Sequence, residues 1–176
     1  INCVYTDYPE YHWFDLAYTY WEMEETNQVS SVEPEYIMTK EQILESAPLI
    51  QANTKKLLAE MPIDGTDYEK AKYLYEALIT FTEYVDDSDY NQTMASVFLN
   101  GESVCSGYAK AMQYLLLEAG IPSTYIGGEA FYIEDEVEKW DSHAWNMVQL
   151  DGEYYYIDAT WGIRMRQRNI RKSMPV

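Results

Sequence analysis

The sequence predicts an α+β domain in which N-terminal helices pack on a C-terminal antiparallel β-sheet. Three observations predict it. Two capping boxes, Thr39-Lys40-Glu41-Gln42 and Thr66-Asp67-Tyr68-Glu69, each stand at the head of apolar residues recurring at helical spacing. After Pro122 the periodicity changes to strand-like runs, STYIGGEAF, SHAWNMVQL and EYYYIDAT. Between the last two lies Asp151-Gly152, a pair that tolerates positive φ and so marks a two-residue hairpin turn. Helices first and strands later is the order of a segregated α+β domain.

In chain order, residues 1–38 are rich in aromatics and acids and are punctuated by Pro9 and Pro34. They read as irregular or short-strand structure, an extension ahead of a core spanning 39–163. The first helix carries Ile43, Ala47, Ile50, Leu57, Leu58 and Met61, with Pro48 expected to kink or split it near Ala47. The second carries Ala71, Leu74, Leu78, Phe81 and Val85 on one face. VDDSDYNQT is a loop. Thr93 to Leu99 form a short helix ended by Asn100-Gly101, and a further helix runs from Cys105 to Ala119 until Gly120 stops it.

Composition narrows the function. A chain of 176 residues is large enough for a sizeable core, and its 47% hydrophobic content is that of a folded protein. The net charge of −18 disfavours nucleic acid and anionic membranes, whose phosphates it would repel. All thirty acidic residues precede Arg164, while Arg164, Arg166, Arg168, Arg171 and Lys172 crowd the tail at 164–176. That tail reads as a free end or an expression remnant rather than a docked segment. No apolar run approaches the ~20 residues of a membrane span. A start at Ile1 suggests a processed product, and an exported or cell-surface location is the expectation, although two cysteines suit the cytosol equally.

Metal chemistry finds little support. Cys3, Cys105, His12 and His143 match no zinc spacing and no disulfide framework. Asp87, Asp89 and Asn91 imitate the start of a calcium loop, but Gln92 and Phe98 occupy its glycine and glutamate positions. No cofactor or metal is expected.

Cys105 is different because of where it sits. A free cysteine is most often a small buried hydrophobe. At a helix N-terminus, however, unpaired N–H groups and the macrodipole favour the thiolate, which is the nucleophile. Gly101 and Gly107 would leave room beside the sulfur for a substrate backbone. The hairpin supplies a base: a two-residue turn puts Leu150 opposite Glu153, Trp145 opposite Asp158 and His143 opposite Thr160. His143 and Asp158 are then diagonal neighbours on one face, about 7–8 Å apart by backbone. Aspartate is unfavourable within a strand, so Asp158 is expected to serve a partner.

The chemistry assigns Cys105 as nucleophile, His143 as its base, and Asp158 as the group that orients the imidazole. The Cys105 N–H is the first oxyanion donor expected, and Gln92 is a candidate for the second. Trp145 and Trp161 are candidates for the site walls, as are Gly107 and Tyr108; plain core is the alternative for the tryptophans.

VCSGYAKAMQYLLLEAGIPSTYIGG followed by HAWNMVQLDGEYYYIDATW resembles the bacterial branch of the transglutaminase-like superfamily. Its pattern is a cysteine before Gly-Tyr-Ala at a helix start, His-Ala-Trp-Asn on one strand, and an aspartate just before Thr-Trp. Cys105, His143 and Asp158 match its triad position by position. The resemblance implies a papain-like α+β core and thiol acyl chemistry on amide bonds of a protein or peptide substrate, through a thioester released to water or an amine. It is strong over residues 90–162. TDYPEYHWF resembles a segment preceding the domain in some bacterial members, with His12 where an apolar residue is expected. The sequence departs from the pattern at Ala95, where a tyrosine is common nearby, and after Trp161, where an acid is usual. The competing reading is a catalytically silent module of the same fold, acting as a protein-binding or cell-surface scaffold.

Overall fold

A computed structural model describes residues 2–134 and 137–162. The chain order is α1 (Asn2–Asp7), β1 (Phe14–Met23), β2 (Gln28–Tyr36), α2 (Lys40–Leu58), α3 (Asp67–Phe81), β3 (Glu83–Tyr84), α4 (Met94–Asn100), β4 (Glu102–Ser103), α5 (Cys105–Glu118), β5 (Ser123–Glu134), β6 (Val137–Leu150) and β7 (Glu153–Ile157). The expected order of helices, then antiparallel sheet, holds from residue 39 onward. The basic tail at 164–176 lies outside the described residues.

Both capping boxes form as the sequence predicts. The Thr39 hydroxyl accepts from the Gln42 N–H while the Gln42 side chain accepts from the Thr39 N–H at 2.8 Å, and Thr66 with Glu69 repeats the exchange. Of the kink or split expected at Pro48, the split does not occur: α2 runs unbroken from Lys40 to Leu58. The carbonyl that Pro48 leaves without a donor belongs to Leu44, a residue that is 65% exposed, while Ile50, Thr54 and Leu57 anchor the buried side. Helix α3 stops at Phe81 instead of continuing to Val85. The Glu83 and Val85 N–H groups bond instead to Gly101 O at 2.8 Å and Ser103 O at 3.0 Å, building the parallel β3–β4 pair.

The core gathers around α5. Leu74 and Leu78 of α3, Val97 and Phe98 of α4, and Val148 and Leu150 of β6 pack against Met112, Leu115 and Leu116. Because neighbours cover it on several sides, α5 buries far more than the single face its periodicity shows, including Lys110 and Gln113. The Lys110 Nζ lies 2.7 Å from the centre of the Tyr5 ring, docking α1 on α5, and burial pushes its pKa down to about 6. Burial thus disfavours the charged amine, while the Tyr5 ring face beside it favours the charge.

Strands β5, β6 and β7 form an antiparallel meander in that order. Asp151 at φ 51° and Gly152 at φ 91° make the predicted two-residue turn, and Leu150 pairs with Glu153 as expected. The ladder ends at Asn146 and Ile157, so the pairings expected for Asp158 and Thr160 do not form. The chain instead winds into a helical turn at 159–162. Residues 1–38, expected as irregular or short-strand structure, do form strands, but long ones: β1 and β2 pair as a hairpin closed by a four-residue loop with Asn27 at φ 51°. None of the described helices is long and apolar enough to cross a membrane.

Candidate active site

Cys105 opens α5 directly behind Val104, an N-cap residue whose side chain makes no capping hydrogen bond. The first-turn N–H groups are thus not consumed by a capping oxygen and remain available to an anion. The Ser106 N–H, on the same turn, and the Ala144 N–H, arriving from β6, donate to the sulfur. Burial pushes the Cys105 thiol up, but the hydrogen bond and charge of His143 together with these two N–H groups outweigh it, and the pKa falls below its ordinary value.

His143 reaches the sulfur from β6. Its Nε2 donates to Asp158 Oδ2 at 2.7 Å, which leaves Nδ1 to face the thiol. The Asp158 hydrogen bond, then the Cys105 hydrogen bond, raise the His143 pKa to about 9 against the opposing effect of burial. A lowered thiol beside a raised imidazole favours thiolate and imidazolium at neutral pH.

Asp158 is held from two sides. While Oδ2 binds His143, Oδ1 accepts the Trp161 N–H at 3.1 Å, so the carboxylate caps the turn at 159–162. That second bond explains why the β7 ladder ends at Ile157. The diagonal approach expected from the register is achieved by a chain that has already left the strand.

Two indoles flank the imidazole. Trp145 stacks on His143 at 5.8 Å between ring centres, and Trp161 lies tilted at 6.3 Å. Gly128, cross-strand from His143, makes the Trp145 position possible: a Cβ there would stand 2.7 Å from the indole. Cys105 and His143 open into a cavity of about 290 Å³ walled by Tyr84, Ala130, Asp141, Thr160 and Trp161.

The remaining expected residues sit elsewhere. Gln92 does not line this cavity; its amide donates to Asn91 Oδ1 at 3.3 Å, and its carbonyl accepts the Tyr5 hydroxyl at 3.1 Å. Gly107 faces inward, where a Cβ would overlap Ser103 Oγ and press on Asn91 O and Thr93 O. Its smallness lets α5 approach the 91–93 segment rather than making room for substrate. Tyr108 is fully buried and stacks on Tyr84 at 6.4 Å. Asp89 meets Asn100 Nδ2 through its carbonyl, and no group of three or more metal-ligating side chains converges among the described residues. His12 is buried in the N-terminal aromatic cluster against Trp13.

Sequence reasoning missed the Ala144 N–H, because a backbone donor leaves no trace in residue identity. It also missed Gly128, for which the glycine pair inside STYIGGEAF was the available signal.

The sequence profile of the transglutaminase-like superfamily matches residues 55–159. The chain belongs to the transglutaminase-like superfamily. Solved structures agree with this fold. A TGase structure superposes with a TM-score of 0.53 at 18% identity, covering 70% of this chain and 33% of that one. A candidate cysteine protease from Cytophaga hutchinsonii gives 0.51 at 23% identity, covering 65% of this chain and 37% of that one. The chain thus spans about a third of the length of each. No curated protein shows a matching sequence. Cys105 and His143 line one cavity, and Asp158 reaches His143 by its hydrogen bond while lining a separate cavity with Tyr75 and Tyr156. Of the other expected residues Trp161 lines the first cavity, whereas Gln92, Gly107, Tyr108 and Trp145 do not.

Proposed function

We propose that the protein catalyses thiol-dependent acyl transfer or hydrolysis at amide bonds of protein or peptide substrates. Cys105 attacks the carbonyl, His143 passes its proton to the leaving amine, and Asp158 keeps the imidazole oriented and stabilises its positive form. The resulting thioester is released to water or to an amine. The Cys105 N–H, at the uncapped start of α5, is the nearest donor for the developing oxyanion. One observation carries the reading: the thiol and the imidazole are shifted in opposite directions by each other, in a cleft open to solvent.

The test has two arms. Iodoacetamide labelling followed across pH should show Cys105 reacting well below pH 8, and His143→Ala should remove that advantage. Glutamine peptides offered with a tagged primary amine, read by mass, should then give amine incorporation, ammonia release or peptide cleavage. Labelling that tracks an ordinary thiol titration would put the scaffold reading ahead. A cell-surface or exported setting fits such chemistry and is proposed with it.

A further inference from the structure

We propose that Asp141 is the specificity carboxylate of this cleft, selecting a substrate with a lysine- or arginine-type cation within two residues of the amide attacked by Cys105. The inference rests on the thiol–imidazole function above and names its substrate class. Asp141 pairs with Ala130 and His143 with Gly128, so all four residues share one face of the β5–β6 ladder. Two residues along a strand place Asp141 about 7 Å beyond His143. An extended peptide advances about 3.3–3.6 Å per residue, so the same distance corresponds to two substrate residues. Ala130, opposite Asp141, adds only a methyl and leaves the space above the carboxylate open.

Among the described residues nothing compensates the charge of Asp141. The side chain is exposed, lines the cavity shared by Cys105 and His143, and has no hydrogen-bond or ion-pair partner among the described residues. Lys139, two residues farther out on the same face, is engaged in a contact elsewhere. Among the described residues that line the cavity, the only cationic group is His143, whose charge is already directed to Asp158 and the sulfur. Tyr84 and Trp161 add ring faces that attract a cation. A negative side chain entering here meets Asp141 with no donor to answer it. A neutral one gains nothing from the carboxylate.

A covalent probe reads this preference without needing turnover. On a Cys3→Ser background, Cys105 is the only thiol left. Three peptidyl acyloxymethyl ketones, differing only in the second residue from the ketone (lysine, norleucine or glutamate), are timed as inactivators. In each, the Cys105 thiolate displaces the carboxylate from the methylene carbon; a thioether forms and the carboxylate leaves with the bonding pair. The lysine reagent should react about tenfold faster than the norleucine reagent, equivalent to about 1.4 kcal/mol, and the glutamate reagent should be slowest. Asp141→Asn should bring all three within about twofold, whereas Asp141→Glu and the remote Glu153→Gln should keep the lysine preference. Equal lysine and norleucine rates, or a preference that survives Asp141→Asn, overturn the assignment. Iodoacetamide separates the two failures. An activated thiol without charge preference removes the Asp141 role alone, and an ordinary thiol titration removes the proposed function with it.

Discussion

Along residues 143–150, β6 alternates half-buried and buried side chains, with Ala144, Asn146, Val148 and Leu150 turned towards α5. Along 137–142 every side chain of the same strand is exposed. The inner half is clamped between α5, β5 and β7, whereas the outer half pairs with β5 alone. The changeover falls between His143 and Ser142, so the imidazole stands on the last packed residue and Asp141 on the second exposed one. Chemistry requires positions fixed to a fraction of an ångström, and recognition of a variable partner does not. Under the proposed function, the two halves would divide these tasks along one continuous strand.

The largest expected effect breaks the inner half. Leu116→Ala removes a fully buried side chain of α5 and should cost about 3 kcal/mol, read by chemical denaturation. His143→Ala follows, with an expected loss of about 100-fold in thiol reactivity at pH 6.5, equivalent to about 2.7 kcal/mol. The pH profile of turnover sharpens this prediction. The thiolate is present only above the lowered Cys105 pKa, and the proton needed by the leaving amine is lost as pH rises through the His143 value of about 9. Activity should therefore rise on the acid side well before the usual thiol range and fall near pH 9, with the alkaline limb lost in His143→Ala.

Gly128→Ala tests the boundary between the halves. Its methyl displaces Trp145 from the His143 stack and should cost about 1–2 kcal/mol, with slower Cys105 labelling at neutral pH. Trp140→Ala, in the outer half, should change stability by no more than about 0.5 kcal/mol. A cost comparable to that of Leu116→Ala would mean that the outer half is not the lightly held region described here.

Much of this site was legible in the sequence because its information is local. Asp151-Gly152 sets the turn, the turn sets the register, and the register brings Asp158 near His143. The same reasoning overran by carrying the ladder past Ile157, since nothing in YYYIDAT shows that the Asp158 carboxylate also binds the Trp161 N–H. Other features depend on distant partners. The end of α3 depends on Gly101 and Ser103 offering carbonyls to Glu83 and Val85, and the buried side of α2 that carries it through Pro48 is held by Ile50, Thr54 and Leu57. The β1–β2 hairpin escaped notice because its loop has four residues and Asn27 alone supplies the positive φ. The Ala144 donor is invisible to any reading of side chains.

Val104 carries a further consequence. By ordinary propensity a serine, threonine or aspartate at that position would complete the first turn of α5 and make the protein harder to unfold. Such a residue would lay its own oxygen across the donors that attend the sulfur. On the function proposed, the unfinished helix would let the reacting molecule, at the moment its charge develops, supply the missing oxygen itself.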